Sequence, residues 1–158
     1  MSDAAAEDRG QVVARLYDAH GARLYRYALM ILADRGDAED AIQQVFAAVV
    51  ADSSLALDNP EAYLRTAVRN ASFTILRRRR TAAPARMLEP IVPECSRAEQ
   101  AALEQALARL PPEQREVVHL HVYEGMTFRE VAAATGESIN TVAARYRYAV
   151  AKLREELA

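Results

Sequence analysis

Arginine is the residue whose placement in this chain suggests chemistry most directly. Arg77, Arg78, Arg79 and Arg80 stand in a row, and Arg65, Arg69 and Asn70 lie just upstream. Guanidinium groups pair with phosphate through two parallel hydrogen bonds, so such a set can hold a nucleic-acid backbone. Cations also suit the negative end of a helix dipole, so a solvated helix terminus accounts for the run equally well. Other chemistry is hard to assemble. The five glycines are isolated and form no phosphate loop. Cys95 is a lone thiol without metal-ligand spacing. His119 and His121 are two apart and do not share a helix face, and His20 is far away. No carboxylate pair falls in an apolar context that would set up acid–base work. We therefore expect no enzyme, no metal, no cofactor and no small-molecule substrate.

A second polar set lies in Thr127–Leu153, TFREVAAATGESINTVAARYRYAVAKL. Thr127 with Glu130 three residues on makes a capping box. Val131 and Ala132 supply the buried side of a short helix, and Gly136 can take the left-handed conformation that ends it. Ser138 caps a second helix. Its Ile139, Val142, Tyr146, Val150 and Leu153 form the inward stripe, while Asn140, Thr141, Arg145, Arg147 and Lys152 point elsewhere. This is the helix-turn-helix pattern, whose second helix enters the DNA major groove with its N-terminal residues leading. Helix–glycine–helix corners also occur in helical proteins that bind no DNA.

These sets must be positioned by helices. The 158 residues are 51% hydrophobic, with only 5 glycines and 6 prolines, enough for one ordinary domain or two small ones. Residues 1–9 (MSDAAAEDR) are small, charged and without periodicity, and we expect them to be disordered. A helix is expected from Gln11 to about Leu32, with Val13, Leu16, Tyr17, Leu24, Ala28 and Ile31 on its apolar side. After a turn at Ala33–Gly36, Asp37 can cap a helix whose Ile42, Val45, Phe46, Val49 and Val50 share one face. The opposite face carries Asp40, Gln43 and Gln44, which suit either solvent or a protein contact. Asp52–Asp58 reads as a loop. Asn59–Pro60 starts a third helix, with Leu64, Ala67, Val68, Ala71 and Ile75 inward and the arginine run at its end. Residues 81–96, with Pro84, Pro90 and Pro93, read as a flexible linker. Ala98–Leu110 (Ala102, Leu103, Ala106, Leu107 and Leu110 inward) and Glu113–Glu124 (Val117, Val118, Leu120 and Tyr123 inward) precede the helix-turn-helix. The expectation is an all-α protein of two small helical domains, 10–80 and 97–158, joined by that linker.

The net charge is −2, so any DNA binding must come from local patches. A single cysteine cannot form an internal disulfide and fits a reducing cytoplasm. The N-terminus, MSDAAAEDRG, is polar and acidic, unlike a signal peptide. No apolar run approaches the roughly 20 residues of a membrane span, and membrane insertion is not expected.

Four segments in order, GDAEDAIQQVF, NPEAYLRTAVRNASFTILRRRR, the proline-rich linker, and ALARLPPEQREVVHLHVYEGMTFREVAAATGESINTVAARYRYAVAKLREEL, together resemble the sigma-70 family of bacterial RNA polymerase sigma factors, in particular its extracytoplasmic-function (ECF) branch. The resemblance spans residues from about 11 to 157. It implies a cytoplasmic transcription initiation factor that binds core RNA polymerase and directs it to promoters. It also implies that Asp37, Asp40, Gln43 and Gln44 dock on the clamp of the largest subunit, with a second contact at the flap. Arg65, Arg69, Asn70, Arg77 and Arg78 would serve the −10 element, where a flipped base is captured at a cost of a few kcal/mol in unstacking. Thr127, Ser138, Asn140, Thr141, Ala143, Ala144, Arg145 and Arg147 would face the −35 element. Three departures stand out: Tyr63 replaces a frequent tryptophan, Thr74 a frequent aspartate, and NTVAAR the usual GTVKSR. Ala143 and Ala144 can touch a thymine methyl but read less than an arginine on guanine. Arg145 can meet phosphate rather than base. An anti-sigma factor, or control through expression, would hold such a protein back. From residues 97–158 alone, a free-standing helix-turn-helix regulator acting without polymerase is the competing reading, and a helical adaptor that binds only protein is a third.

Overall fold

The computed structural model describes residues 2–52, 54, 58–79 and 96–158. Arg80, the expected linker up to Cys95 and part of the expected loop at 52–58 lie outside the described residues. All regular structure among the described residues is helical. Helix α1 (Ser2–Leu32), α2 (Arg35–Ala51) and α3 (Pro60–Arg78) pack on one another as an N-terminal unit. Helix α4 (Arg97–Arg109), α5 (Pro112–Val118), a π-helical turn (His119–Tyr123), α6 (Phe128–Thr135) and α7 (Ile139–Leu157) form the C-terminal unit.

Several ends form as their residues dictate. The Asn59 side chain accepts from the Ala62 N–H, with Pro60 opening α3. Thr127 and Glu130 form the expected reciprocal box, Gly136 closes α6 at φ 74°, and Ser138 caps α7. A second box, Ser96 with Glu99, starts α4.

Other expectations need correction. The cap of α2 is Asp34, not Asp37: its carboxylate accepts from the Asp37 N–H at 3.0 Å. The segment Asp-Arg-Gly-Asp holds two acids three residues apart, and the earlier one takes the role because Ala33 turns the chain at φ 52°. Helix α1 begins at Ser2, not Gln11, and includes residues expected to be disordered. The alanine-rich start favours helix, and the Arg9 guanidinium donates to the Val49 and Asp52 carbonyls at the end of α2. Tyr17, Val50, Ala102, Tyr123 and Ile139, expected inside, are exposed. Each lies at the edge of its apolar stripe, where a small change of helix phase turns it outward.

The expected single helix 113–124 breaks into α5 and the π turn, closed by Glu124 N–H donating to His119 O at 3.0 Å. In an unbroken α-helix, residues eight apart differ by about 80° around the axis. The wider turn removes part of that offset, and Glu116 and Glu124 both face the N-terminal unit. Buried side chains of the two units merge into one cluster. Tyr27, Ile31 and Leu64 from the first join Leu110, Val117, Leu120 and Val142 from the second.

Candidate nucleic-acid and partner interface

The Asp40, Gln43 and Gln44 side chains are exposed on α2, as their phase requires. Asp37 is half-buried and pairs with the Arg79 guanidinium, which also donates to Leu32 O at 2.8 Å. Arg79 therefore turns inward to satisfy a carbonyl at the end of α1, while Arg77 and Arg78 remain exposed. Gln43 lines a groove of about 820 Å³ between α1 and α2, floored by Ile42 and Phe46 and edged by Tyr17, Tyr25, Asp18 and Glu39. The contribution of α1 to this surface was invisible in the sequence, because Tyr17 read as core.

On α3, Asn70 is exposed, but Arg65 and Arg69 are not free. Their side chains are 17% and 18% exposed. Arg69 donates from Nε to Glu116 Oε1 at 2.6 Å and from Nη2 to Oε2 at 3.2 Å. Tyr27 donates its hydroxyl to the same Oε1 at 2.5 Å. Burial, then the Glu116 charge, hold the Tyr27 hydroxyl well above its ordinary pKa, so it remains a donor. Burial alone would lower Arg69, but its hydrogen bonds and attraction to Glu116 raise it instead. Arg65 pairs with Glu61 at 3.0 Å and with Glu124 at 3.5 Å, and Arg23 approaches Glu124 at 3.9 Å. The His119 ring stacks between Tyr27 and Tyr123, with Nε2 at 3.4 Å from Glu124 Oε1 in an ion-pair approach without hydrogen-bond alignment. Beside this cluster, buried Arg115 donates to Met30 O and Ile31 O of α1 and to Ala108 O and Leu110 O after α4. One cation thus satisfies the open carbonyls of two helix ends. Burial, then Arg79 nearby, lowers its pKa to about 10, and it stays charged at neutral pH.

The C-terminal set is arranged differently. Ser138 and Asn140 are exposed at the start of α7, and Thr141 bonds back to Ser138. Ala143 and Ala144 are half-buried. Arg145 is held by Glu137 at 3.1 Å. Arg147 is exposed beside Tyr148, which is 63% exposed and absent from the expected set. Thr127 is committed to its cap. The structure brings Ser138, Asn140 and Arg147 to one open helix face and leaves Thr127 apart from it. Glu116 and Glu124 were also missed. The sign available was an acid four residues on either side of Leu120, inside an otherwise apolar stripe.

Two helical units, one ending in a capped helix with an open polar face, define a helix-turn-helix DNA-binding protein. The Sigma-70 region 2 model matches residues 16–82, and the Sigma-70 region 4 model matches residues 100–153. The ECF RNA polymerase sigma factor SigL of Mycobacterium tuberculosis is 33% identical over 168 residues, covering 98% of this chain and 93% of its own. The RNA polymerase sigma-E factor of Streptomyces coelicolor is 35% identical over 151 residues, covering 85% and 79%. Among solved structures, CnrH in complex with the cytosolic domain of CnrY matches with a TM-score of 0.68 at 28% identity, over 98% and 93% of the two chains. The sigma factor RpoE bound to the anti-sigma factor NepR, from Bartonella quintana, shares the fold with a TM-score of 0.72 at 24% identity, over 96% and 97%. The chain belongs to the sigma-70 family, in its ECF branch. It is a transcription initiation factor that binds core RNA polymerase and directs it to specific promoters, and it is not an enzyme. The free-standing regulator is not favoured, since matched segments occupy both units. No described helix is long and apolar enough to cross a membrane.

Proposed function

We propose that the labour of initiation is divided among three faces of this chain, acting in the cytoplasm. Asp40, Gln43 and Gln44, with the α1–α2 groove beside them, dock on the clamp of the polymerase largest subunit, and Asp37 supports this face through Arg79. A second contact with the flap falls to the C-terminal unit. Asn70, Arg77 and Arg78, joined by Arg65 and Arg69, serve the −10 element, where each neutralised phosphate releases counterions. Ser138, Asn140, Thr141, Ala143, Ala144 and Arg147 enter the −35 major groove. Arg145 positions the start of α7 through Glu137, and Thr127 acts through its cap. An anti-sigma factor is the expected regulator, by analogy with the partners of the matched CnrH and RpoE.

The observation that carries this reading is the separation of exposed polar faces: α2 and the end of α3 on one unit, the first turns of α7 on the other. The test is transcription in vitro with sigma-free core polymerase on a promoter-fragment library. Transcripts from a defined subset are expected, lost when Asp40 and Gln43 are both changed to alanine and reduced by Arg77→Ala with Arg78→Ala. Undiminished transcription from the Asp40/Gln43 variant would remove the clamp assignment.

A further inference from the structure

Arg65 and Arg69 are proposed to meet DNA, yet here they meet carboxylates. Glu116 is completely buried and presents both oxygens to Arg69, the bidentate geometry a phosphate would offer. Glu124 lies within reach of Arg65 and Arg23. Both acids come from the C-terminal unit, and both arginines named for DNA come from the N-terminal unit. The joint extends beyond this pair: Tyr27 adds a third bond to Glu116, Arg26 donates to the Tyr123 hydroxyl at 2.6 Å, and Arg115 holds the α1 carbonyls.

We propose that this arrangement is an intramolecular lock, in which Glu116 and Glu124 occupy Arg65 and Arg69 as surrogate anions and keep the −10 face closed until the two units separate. The inference rests on the assignment of those arginines to DNA. A guanidinium saturated by a buried carboxylate cannot also bind phosphate, so the two states exclude each other. The closed chain discriminates against DNA alone, and only a partner that binds the separated units better can shift the balance. Core polymerase, which engages both units, is that partner. The lock covers only part of the surface, since Asn70, Arg77 and Arg78 remain exposed.

The test uses the full chain with Cys95→Ser, Arg26→Cys and Tyr123→Cys, joined across the interface by a bismaleimide containing a cleavable disulfide. None of these positions belongs to the proposed DNA- or polymerase-binding sets. The uncrosslinked protein should transcribe with core polymerase. Crosslinking should reduce the signal at least about tenfold, and cleavage should restore it. A crosslinked protein active within about twofold overturns the lock and leaves the sigma reading intact. An uncrosslinked protein that transcribes from no promoter overturns both. Independently, Glu124→Gln at the edge of the joint, and Glu116→Gln at its centre, should raise the affinity of the free chain for a single-stranded −10 oligonucleotide. The expected gain is about tenfold, the scale of one charged hydrogen bond. Arg69→Gln should abolish the gain. Folded variants with unchanged affinity overturn the lock.

Discussion

Helices α3 and α7 both carry side chains proposed for DNA, and they are held in opposite ways. On α7 the first turns are free of the other unit: the cap satisfies the backbone, Glu137 takes Arg145, and Asn140 and Arg147 face solvent. On α3 the middle arginines are spent on the C-terminal unit while the end arginines are free. A reading helix can stay exposed because duplex DNA is always available in its groove-bearing form. A surface for unstacked strand has no substrate until melting begins, and its cations are the ones this fold pairs internally.

The contrast can be broken most forcefully at Glu116. Glu116→Ala leaves Arg69 and Tyr27 without their acceptor, and we expect a loss of about 3 to 5 kcal/mol, read by denaturant unfolding. A loss below about 1 kcal/mol would show that the units are not joined there. Arg115→Ala uncovers four carbonyls and should cost about 3 kcal/mol, with α1 fraying at its C-terminus in hydrogen exchange. Next in size is the asymmetry of DNA binding by the free chain. Arg147→Ala should weaken −35 duplex binding up to about tenfold and lower the salt slope by about one. Arg69→Ala alone should leave that binding unchanged. Equal effects from the two would erase the distinction between the helices.

Gly136→Ala places a side chain at φ 74°, where no atom stands within 4 Å of the added carbon. The cost is therefore conformational, about 1 kcal/mol, and a larger loss of melting temperature would mean that the turn is strained for another reason. The smallest effect concerns acid. Burial alone would raise the Glu124 carboxyl, but the His119 imidazole, Arg65 and Arg23 outweigh it and hold the pKa below the ordinary 4.5. A depressed carboxylate contributes stability that is present above its unfolded value and lost as pH falls through its folded value. Glu124→Gln should therefore flatten the loss of stability below about pH 4.5, measured by urea unfolding. A variant with the wild-type acid slope would exclude Glu124 from the joint.

Much of this architecture was legible because it is local. The capping box at Thr127, the stop at Gly136, the Asn59–Pro60 start and the exposed phase of Asp40, Gln43 and Gln44 depend on residues within a few positions of one another. Where local signals compete, legibility failed: Asp34 and Asp37 both suit a cap, and only the turn at Ala33 chooses between them. Tyr17 and Ile139 were misplaced because an amphipathic stripe has an edge, and periodicity does not say which side of it is covered.

By itself the chain of residues determined the helices, their order, the helix-turn-helix and the family they spell out. All of these follow from hydrogen bonds and apolar spacing along a single segment. Only the tertiary structure decided what the charged groups do. Glu116 is 47 positions from Arg69 and 89 from Tyr27, and Arg115 is 85 from the carbonyl of Met30. Charges pair through space, so whether an arginine faces a phosphate or a buried carboxylate depends on how the two units meet.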